Sequence, residues 1–428
     1  MSYGLFAIAT LFVVFALVSK RLSTTAVTGP MLFVAVGVLV GSAGFDLMGA
    51  ESSDRSISLL LEATLAIVLF SDAAVINSSN WREEASIPIR LLATGLPMTI
   101  ALGFAVAALM FGDIGLWQAG LIAAILAPTD AALGQAVVSN PRVPQPIRQG
   151  LATESGLNDG ISLTFVLIFL AGAEGAVEGG SFGAILSLLG QEILVAGVVG
   201  VGIGWVGGTA LVAAARHGWV SPVWLGLGSL AIGIAAYGLA VPLGGSGFIA
   251  AWLAGLVLGR TTRDELEDVN AFSETLGTAL TMTSFMVFGA VILGPILSGI
   301  TWKVILYALL SLTLIRMLSV ANAMLGSGLQ PVSVLFLGWF GPRGLASIVL
   351  AGVVVESSGI AGADVIVTVA AITVGISVFA HGMTSWIGSQ AYGDWWEQHS
   401  AGGPSVMEAD DGSDVSAPHR FRAPGMEE

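Results

Sequence analysis

Charge is scarce in this sequence. Of 428 residues only 10% are Asp, Glu, Lys or Arg, where a soluble chain carries about a quarter. A soluble fold of this length could not cover its surface with so few polar groups, which excludes a soluble enzyme and a disordered chain. Cysteine is absent, which excludes disulfides and thiolate metal sites. Basic residues are fewer than acidic ones, giving a formal charge of −14, and that balance argues against a nucleic-acid partner. Part of the surplus is local: from Asp394 onward there are 8 acidic and 2 basic residues. What is abundant is apolar and small, with 55% hydrophobic residues and 57 glycines. Small residues let helices approach closely in lipid, and the composition is that of a polytopic all-α membrane protein.

A membrane crossing needs roughly 20 mainly apolar residues. Thirteen runs qualify, at 3–19, 29–48, 57–78, 87–111, 115–138, 147–173, 181–214, 222–240, 244–260, 270–298, 301–326, 331–356 and 362–389. The seventh is long enough to be two. Cytoplasmic loops carry an excess of Lys and Arg. With the N-terminus outside, the inner loops hold Lys20, Arg21, Arg82, Arg90, Arg142, Arg148, Arg216, Arg260 and Arg263, and the outer loops only Arg55 and Lys303. The sequence therefore predicts a multi-pass protein of the cell membrane, N-terminus out and C-terminus in. The first run has no basic residue before it and Lys20–Arg21 after it, the order of a retained helix rather than a signal peptide. Residues 1–393 form the membrane domain in this reading. Residues 394–428 form an acidic tail without apolar period, expected to be disordered, with Trp395 and Trp396 anchoring the last helix at the interface.

An ionisable group near the bilayer centre costs at least ~2.5 kcal/mol and is a functional candidate. Six fall deep within the runs: Asp72, Asp130, Glu154, Asp159, Arg316 and Arg343. Two of them follow helix-breaking prolines, in Ala127-Pro128-Thr129-Asp130 and Gly341-Pro342-Arg343-Gly344. Proline removes a backbone donor and clashes with the preceding turn, and broken backbone at membrane depth survives only when buried or lining a cavity. The broken fifth and twelfth runs are seven apart and run in opposite directions. Paired interrupted helices in inverted halves are the best sequence pointer to a transporter site. In the sixth run, i,i+4 spacing puts Ser155 and Asp159 on one face and Glu154 and Asn158 on the neighbouring one. The first pair reads as facing the ion. A buried carboxylate needs a partner, so Glu154 is expected to pair with an arginine.

The run Glu154-Ser155-Gly156-Leu157-Asn158-Asp159 resembles the signature of monovalent cation:proton antiporters of the NhaP/NHE type. The two proline breaks resemble that family's interrupted helices 5 and 12, which cross near the midplane. The resemblance covers about 1–390. It implies an NhaA/NhaP-like fold of about 13 transmembrane helices with inverted repeats, and a homodimer in which each protomer has a dimerisation part and a six-helix core. It implies that Asp159 alternately holds cation and proton, with Asp130, Ser155 and the Thr129 carbonyl completing the metal site for Na⁺, Li⁺ or K⁺. It also implies that Glu154 pairs with Arg316 and that Arg343 supports the helix crossing. Relatives often carry Glu-Gly-Gly after a Phe where this chain has Phe70-Ser71-Asp72-Ala73-Ala74, so the acid of the third run is shifted by one and shortened. The residue before the aspartate is Asn158, a pattern that goes with electroneutral exchange in that family.

The mechanism expected is competition. Desolvation raises the pKa of a half-buried carboxylate, so proton and cation exclude one another at Asp159, and hard oxygen ligands suit a monovalent metal ion. No cofactor is expected beyond the transported ions, and no partners beyond lipid and a second copy. A sodium-coupled symporter of an organic solute, a channel and a transporter-like sensor are the alternatives. Channels usually lack paired, oppositely directed broken helices. Gly202-Ile203-Gly204-Trp205-Val206-Gly207 follows no strand, so it reads as helix packing rather than a dinucleotide loop. His381 reads as structural near a helix end, Glu192 as either functional or an interhelical contact, Glu62 as solvated, and the Asp264–Asp268 run as a solvated loop.

Overall fold

Long apolar runs without polar alternation can satisfy their backbone in lipid only as helices, and the chain consists of helices. The computed structural model describes residues 2–47, 54–76, 86–174, 182–262, 266, 269–356 and 360–399. Expectations placed on Arg82, on 263–265, 267 and 268, and on the tail from 400 lie outside the described residues.

In chain order the helices are α1 (Ser2–Leu22), α2 (Gly29–Val40), α3 (Asp54–Val75), α4 (Ser86–Met110), α5 (Leu116–Ile125), α6 (Ala131–Val138), α7 (Gln145–Ala173) and α8 (Phe182–Arg216). They continue with α9 (Pro222–Ala240), α10 (Gly247–Thr262), α11 (Ala271–Gly299), α12 (Trp302–Ala323), α13 (Pro331–Trp339), α14 (Leu345–Glu356) and α15 (Ala363–His399). No strand occurs among the described residues. Nine described helices are long and apolar enough to cross a membrane, and four shorter apolar ones accompany them.

Two boundaries differ from the sequence expectation. The second run stops at Val40 rather than 48, because Gly41 leaves the helix with an extended backbone and Asp46 takes a left-handed conformation (φ 51°). The seventh run, expected at 181–214, is indeed one helix, α8, of 35 residues. The last run, expected to end at 389, continues to His399, so residues 394–399 of the expected tail are helical. Trp395 stacks between Tyr392 and His399 on that extension.

The helices pack in two groups. One comprises α2, α3, α8, α9, α10 and α11, with α1 against α2; the other comprises α4 to α7 and α12 to α15. Within the first, a Cβ on Gly255 or Gly259 of α10 would lie 2.2 Å from the Phe70 or Ala74 carbonyl of α3. Only glycine allows that backbone approach. The groups meet where α3 crosses α7 and α14, where α8 packs on α7, and where α2 packs on α15. Large apolar side chains face outward, including Leu17, Leu109, Trp205 and Trp224, as a lipid solvent requires.

Candidate functional site

Pro128 sits between α5 and α6, and Pro342 between α13 and α14. The two interruptions touch. The Asp130 backbone N–H donates to the Pro342 carbonyl at 2.8 Å. The Asp130 side chain caps α6, with Oδ1 accepting from the N–H groups of Ala132 and Leu133 at 2.8 and 3.1 Å. Its Oδ2 accepts from the Leu345 N–H at 2.8 Å. One carboxylate thus faces the positive ends of two helices, where negative charge is stabilised. Arg343 does the converse. Its Nη1 donates to the Ala127 and Pro128 carbonyls, past the negative end of α5. Ser347 donates to the Ile125 carbonyl at 2.7 Å, and the Ser377 hydroxyl of α15 accepts the Arg343 N–H at 2.7 Å. These bonds answer the question that a buried break poses, namely where its backbone groups find partners.

Helix α7 brings the signature residues against this crossing. The Thr129 and Ser155 hydroxyls are 3.0 Å apart, and Asn158 Nδ2 donates to Thr129 Oγ1 at 2.7 Å. Asn158 therefore joins Ser155 and Thr129 rather than facing away with Glu154. On the other flank Arg316 holds Glu154 in a bidentate pair, Nη1 to Oε1 at 2.5 Å and Nη2 to Oε2 at 2.7 Å. Both side chains are 2% exposed, the planar fork geometry that suits arginine to a buried carboxylate. A π-helical turn, Ser311–Ile315, directly precedes Arg316 and resets the phase of α12 there. A Cβ on Gly341 would lie 2.4 Å from Arg316 Nε, so the pair lies against the second break.

Asp72, Asp130 and Asp159 line one recess with Leu65, Val68, Thr281, Leu345 and Ala346. Its volume is about 280 Å³, open solvent included, and all three acids are half-buried. The shifted acid of α3 thus shares a cavity with the other two. Thr129, Ser155 and Asn158 are buried beside the recess and bond one another, and they are not among its lining residues. Glu154, Arg316 and Arg343 also stand apart from it. Sequence reasoning passed over Thr281, Ser347 and Ser377, since a single hydroxyl in an apolar helix looks like any other.

The remaining sequence candidates fall elsewhere. Glu62 accepts from the Tyr237 hydroxyl at 3.4 Å and is half-buried rather than freely solvated. His381 lies within α15, 1% exposed, with Nδ1 3.1 Å from Ser377 Oγ; the longer α15 removes it from any helix end. Gly204 and Gly207 meet Ala254 and Ile232 of neighbouring helices, so that glycine run is helix packing.

Interrupted helices that cross, with three carboxylates gathered beside the crossing, define a membrane protein equipped to handle cations. Residues 7–387 match the family described as "Sodium/hydrogen exchanger, transmembrane", and the chain belongs to that family of multi-pass antiporters. It is 24% identical over 344 residues to the K⁺/H⁺ antiporter NhaP of Alkalimonas amylolytica, covering 79% of this chain and 58% of that one. It is 28% identical over 382 residues to the K⁺/H⁺ antiporter NhaP2 of Shewanella oneidensis, covering 87% and 64%. The chain therefore spans less than two thirds of the length of these relatives. Its fold is similar to that of the sodium proton antiporter MjNhaP1 from Methanocaldococcus jannaschii at pH 8, with a TM-score of 0.73 and 22% identity over 89% of this chain and 98% of the other.

Proposed function

We propose that the protein is a secondary transporter that exchanges a monovalent cation for a proton, with both competing for Asp159. The observation that carries this reading is the recess, where Asp159 and Asp72 lie beside an Asp130 already engaged by three backbone amides. Asp130 acts as the knot of the crossing and supplies fixed negative charge. Asp159 is the group that takes turns. The Thr129, Ser155 and Asn158 cluster holds Asp159's helix against the break, and Asp72 faces the arriving ion.

A loaded site is neutralised, whereas an uncompensated buried charge is costly to move through a low-dielectric barrier. That difference couples the two ions once the site opens to one side at a time. Movement of the α4–α7 and α12–α15 core against the first helix group, the dimerisation part, supplies the alternation. Thirteen crossings, with α5–α6 and α13–α14 each counted as one, give inverted halves whose breaks cross near the midplane. The N-terminus lies outside and the C-terminus in the cytoplasm, in the plasma membrane, as a homodimer. Asn158 donates a hydrogen bond to Thr129, which an ionised second aspartate could not, and this supports one charge in for one charge out. Sodium fits the hard oxygen donors, with a role in pH homeostasis. Potassium is the second reading, favoured by the names of the relatives above.

The test is reconstitution in vesicles containing a pH-sensitive dye, with Na⁺, K⁺ or Li⁺ added outside. Cation-driven proton movement is expected in the wild type and its loss in Asp159→Asn. Undiminished movement in that variant, or none in the wild type, overturns the reading. A current accompanying exchange would overturn electroneutrality alone.

A further inference from the structure

Helix α11 carries four threonines in its first half, Thr275, Thr278, Thr281 and Thr283. Three of them donate their hydroxyls to the carbonyl four residues back: Thr275 to Ala271, Thr278 to Glu274 and Thr283 to Ala279, at 2.8 to 2.9 Å. That bond is the ordinary resting state of a helical threonine. Thr281 does not make it. Its residue is 2% exposed, and its hydroxyl is buried without a hydrogen-bond partner. Buried polar groups are otherwise almost always satisfied, and an exception calls for an explanation. Thr281 is also the one α11 residue lining the recess that holds Asp72, Asp130 and Asp159.

We propose that Thr281 is a ligand of the transported cation, contributed from the helix group opposite the one that carries Asp159. A hydroxyl oxygen is a hard donor of the kind alkali cations take, and an ion held by protein groups must replace water oxygens with protein ones. A proton on Asp159 needs no such replacement. Thr281 therefore favours the cation in its competition with the proton. Because it stands on the other helix group, it engages the ion only while Asp159 faces that wall. It sets apparent cation affinity, not the rate at which a loaded site moves. The inference rests on the cation/proton reading above.

The test compares wild type, Thr281→Val, Thr281→Ser and Thr283→Val in the dye-loaded vesicles, titrating Na⁺ and K⁺. Valine keeps the shape and removes the hydroxyl. Losing one hydrogen-bond-strength contact to a charged group corresponds to a roughly tenfold higher apparent KM. That rise is expected in Thr281→Val with maximal rate retained, with Thr281→Ser and Thr283→Val near wild type. An unchanged KM in Thr281→Val, or equal rises at positions 281 and 283, overturns the proposal while leaving the antiporter reading intact. If Thr281→Val is not recovered folded, Thr281→Ala against Thr281→Ser makes the same comparison. If the wild type exchanges neither ion, the antiporter reading falls. The ligand role is then decided by cation-dependent melting, where equal shifts in wild type and variant overturn it and a smaller shift in the variant upholds it.

Discussion

Two arginines sit among the most deeply buried large side chains, and each resolves a local electrostatic problem. Arg316 neutralises Glu154, and Arg343 covers the carbonyls that Pro128 leaves exposed. Removing one partner of a buried pair strands the other charge, which costs about 3–5 kcal/mol. Arg316→Ala and Glu154→Ala should each lower the melting temperature of the detergent-solubilised protein markedly. Because the double variant strands no charge, it should be more stable than either single one; if the two single losses simply add, the pair does not act as a unit. The need of Glu154 for an arginine is legible in the sequence, since an unpaired acid cannot stay buried and charged. Residue roles that depend on rotamer are not. Asn158 turns toward Thr129, and Thr281 declines its helix carbonyl, choices that no spacing rule encodes.

At the scale of the helix, the interruptions were visible because proline states its own geometry. The crossing partner was not, because a break shows where bonds are lost and nothing about where they are regained. Asp130 regains them for α6 and α14 together, and this requires Gly344 beside it. A Cβ there would lie 2.1 Å from Asp130 Oδ2, closer than real Cβ contacts occur. Gly344→Ala should therefore displace the Asp130 carboxylate from the Leu345 N–H and abolish cation-driven proton movement, with the protein still inserted in the membrane. Full exchange in this variant would show that the Asp130–Leu345 bond is dispensable. The π-helical turns at Leu91–Gly95, Phe288–Leu293 and Ser311–Ile315 were equally hidden, since one extra residue in a turn leaves no compositional mark. The end of α2 at Gly41 follows from backbone packing against α11, where a Cβ would lie 2.3 Å from the Ala290 carbonyl.

Across the whole molecule, the extension of α15 ties the end of that helix to the loop between α6 and α7. Arg142 in that loop donates to Gln390, Asp394 and Glu397. The hydrogen bond to Asp394, then that to Glu397, raises its pKa above the ordinary arginine value. Surface ion pairs are screened by salt. Arg142→Ala should loosen this corner at low ionic strength and matter little at high salt, read as faster amide hydrogen exchange in residues 391–399. Equal exchange in both proteins at low salt would show that the corner is held by the stacking of Tyr392 on Phe336 instead. The sequence placed a domain boundary at 394 because charge begins there; the helix runs past it, and Asp394 and Glu397 pair with Arg142, 252 and 255 residues away.

Sequence separation also governs when the crossing can exist at all. The Leu345 N–H that completes the Asp130 cap lies 215 residues downstream. At ribosomal speeds of about 5–20 residues per second, it is synthesised roughly 10–40 s after Asp130. During that interval Asp130 can cap α6 alone, and the α5–α6 break has no second break to bond. A nascent chain thus crosses the membrane many times before its two interruptions can bond one another.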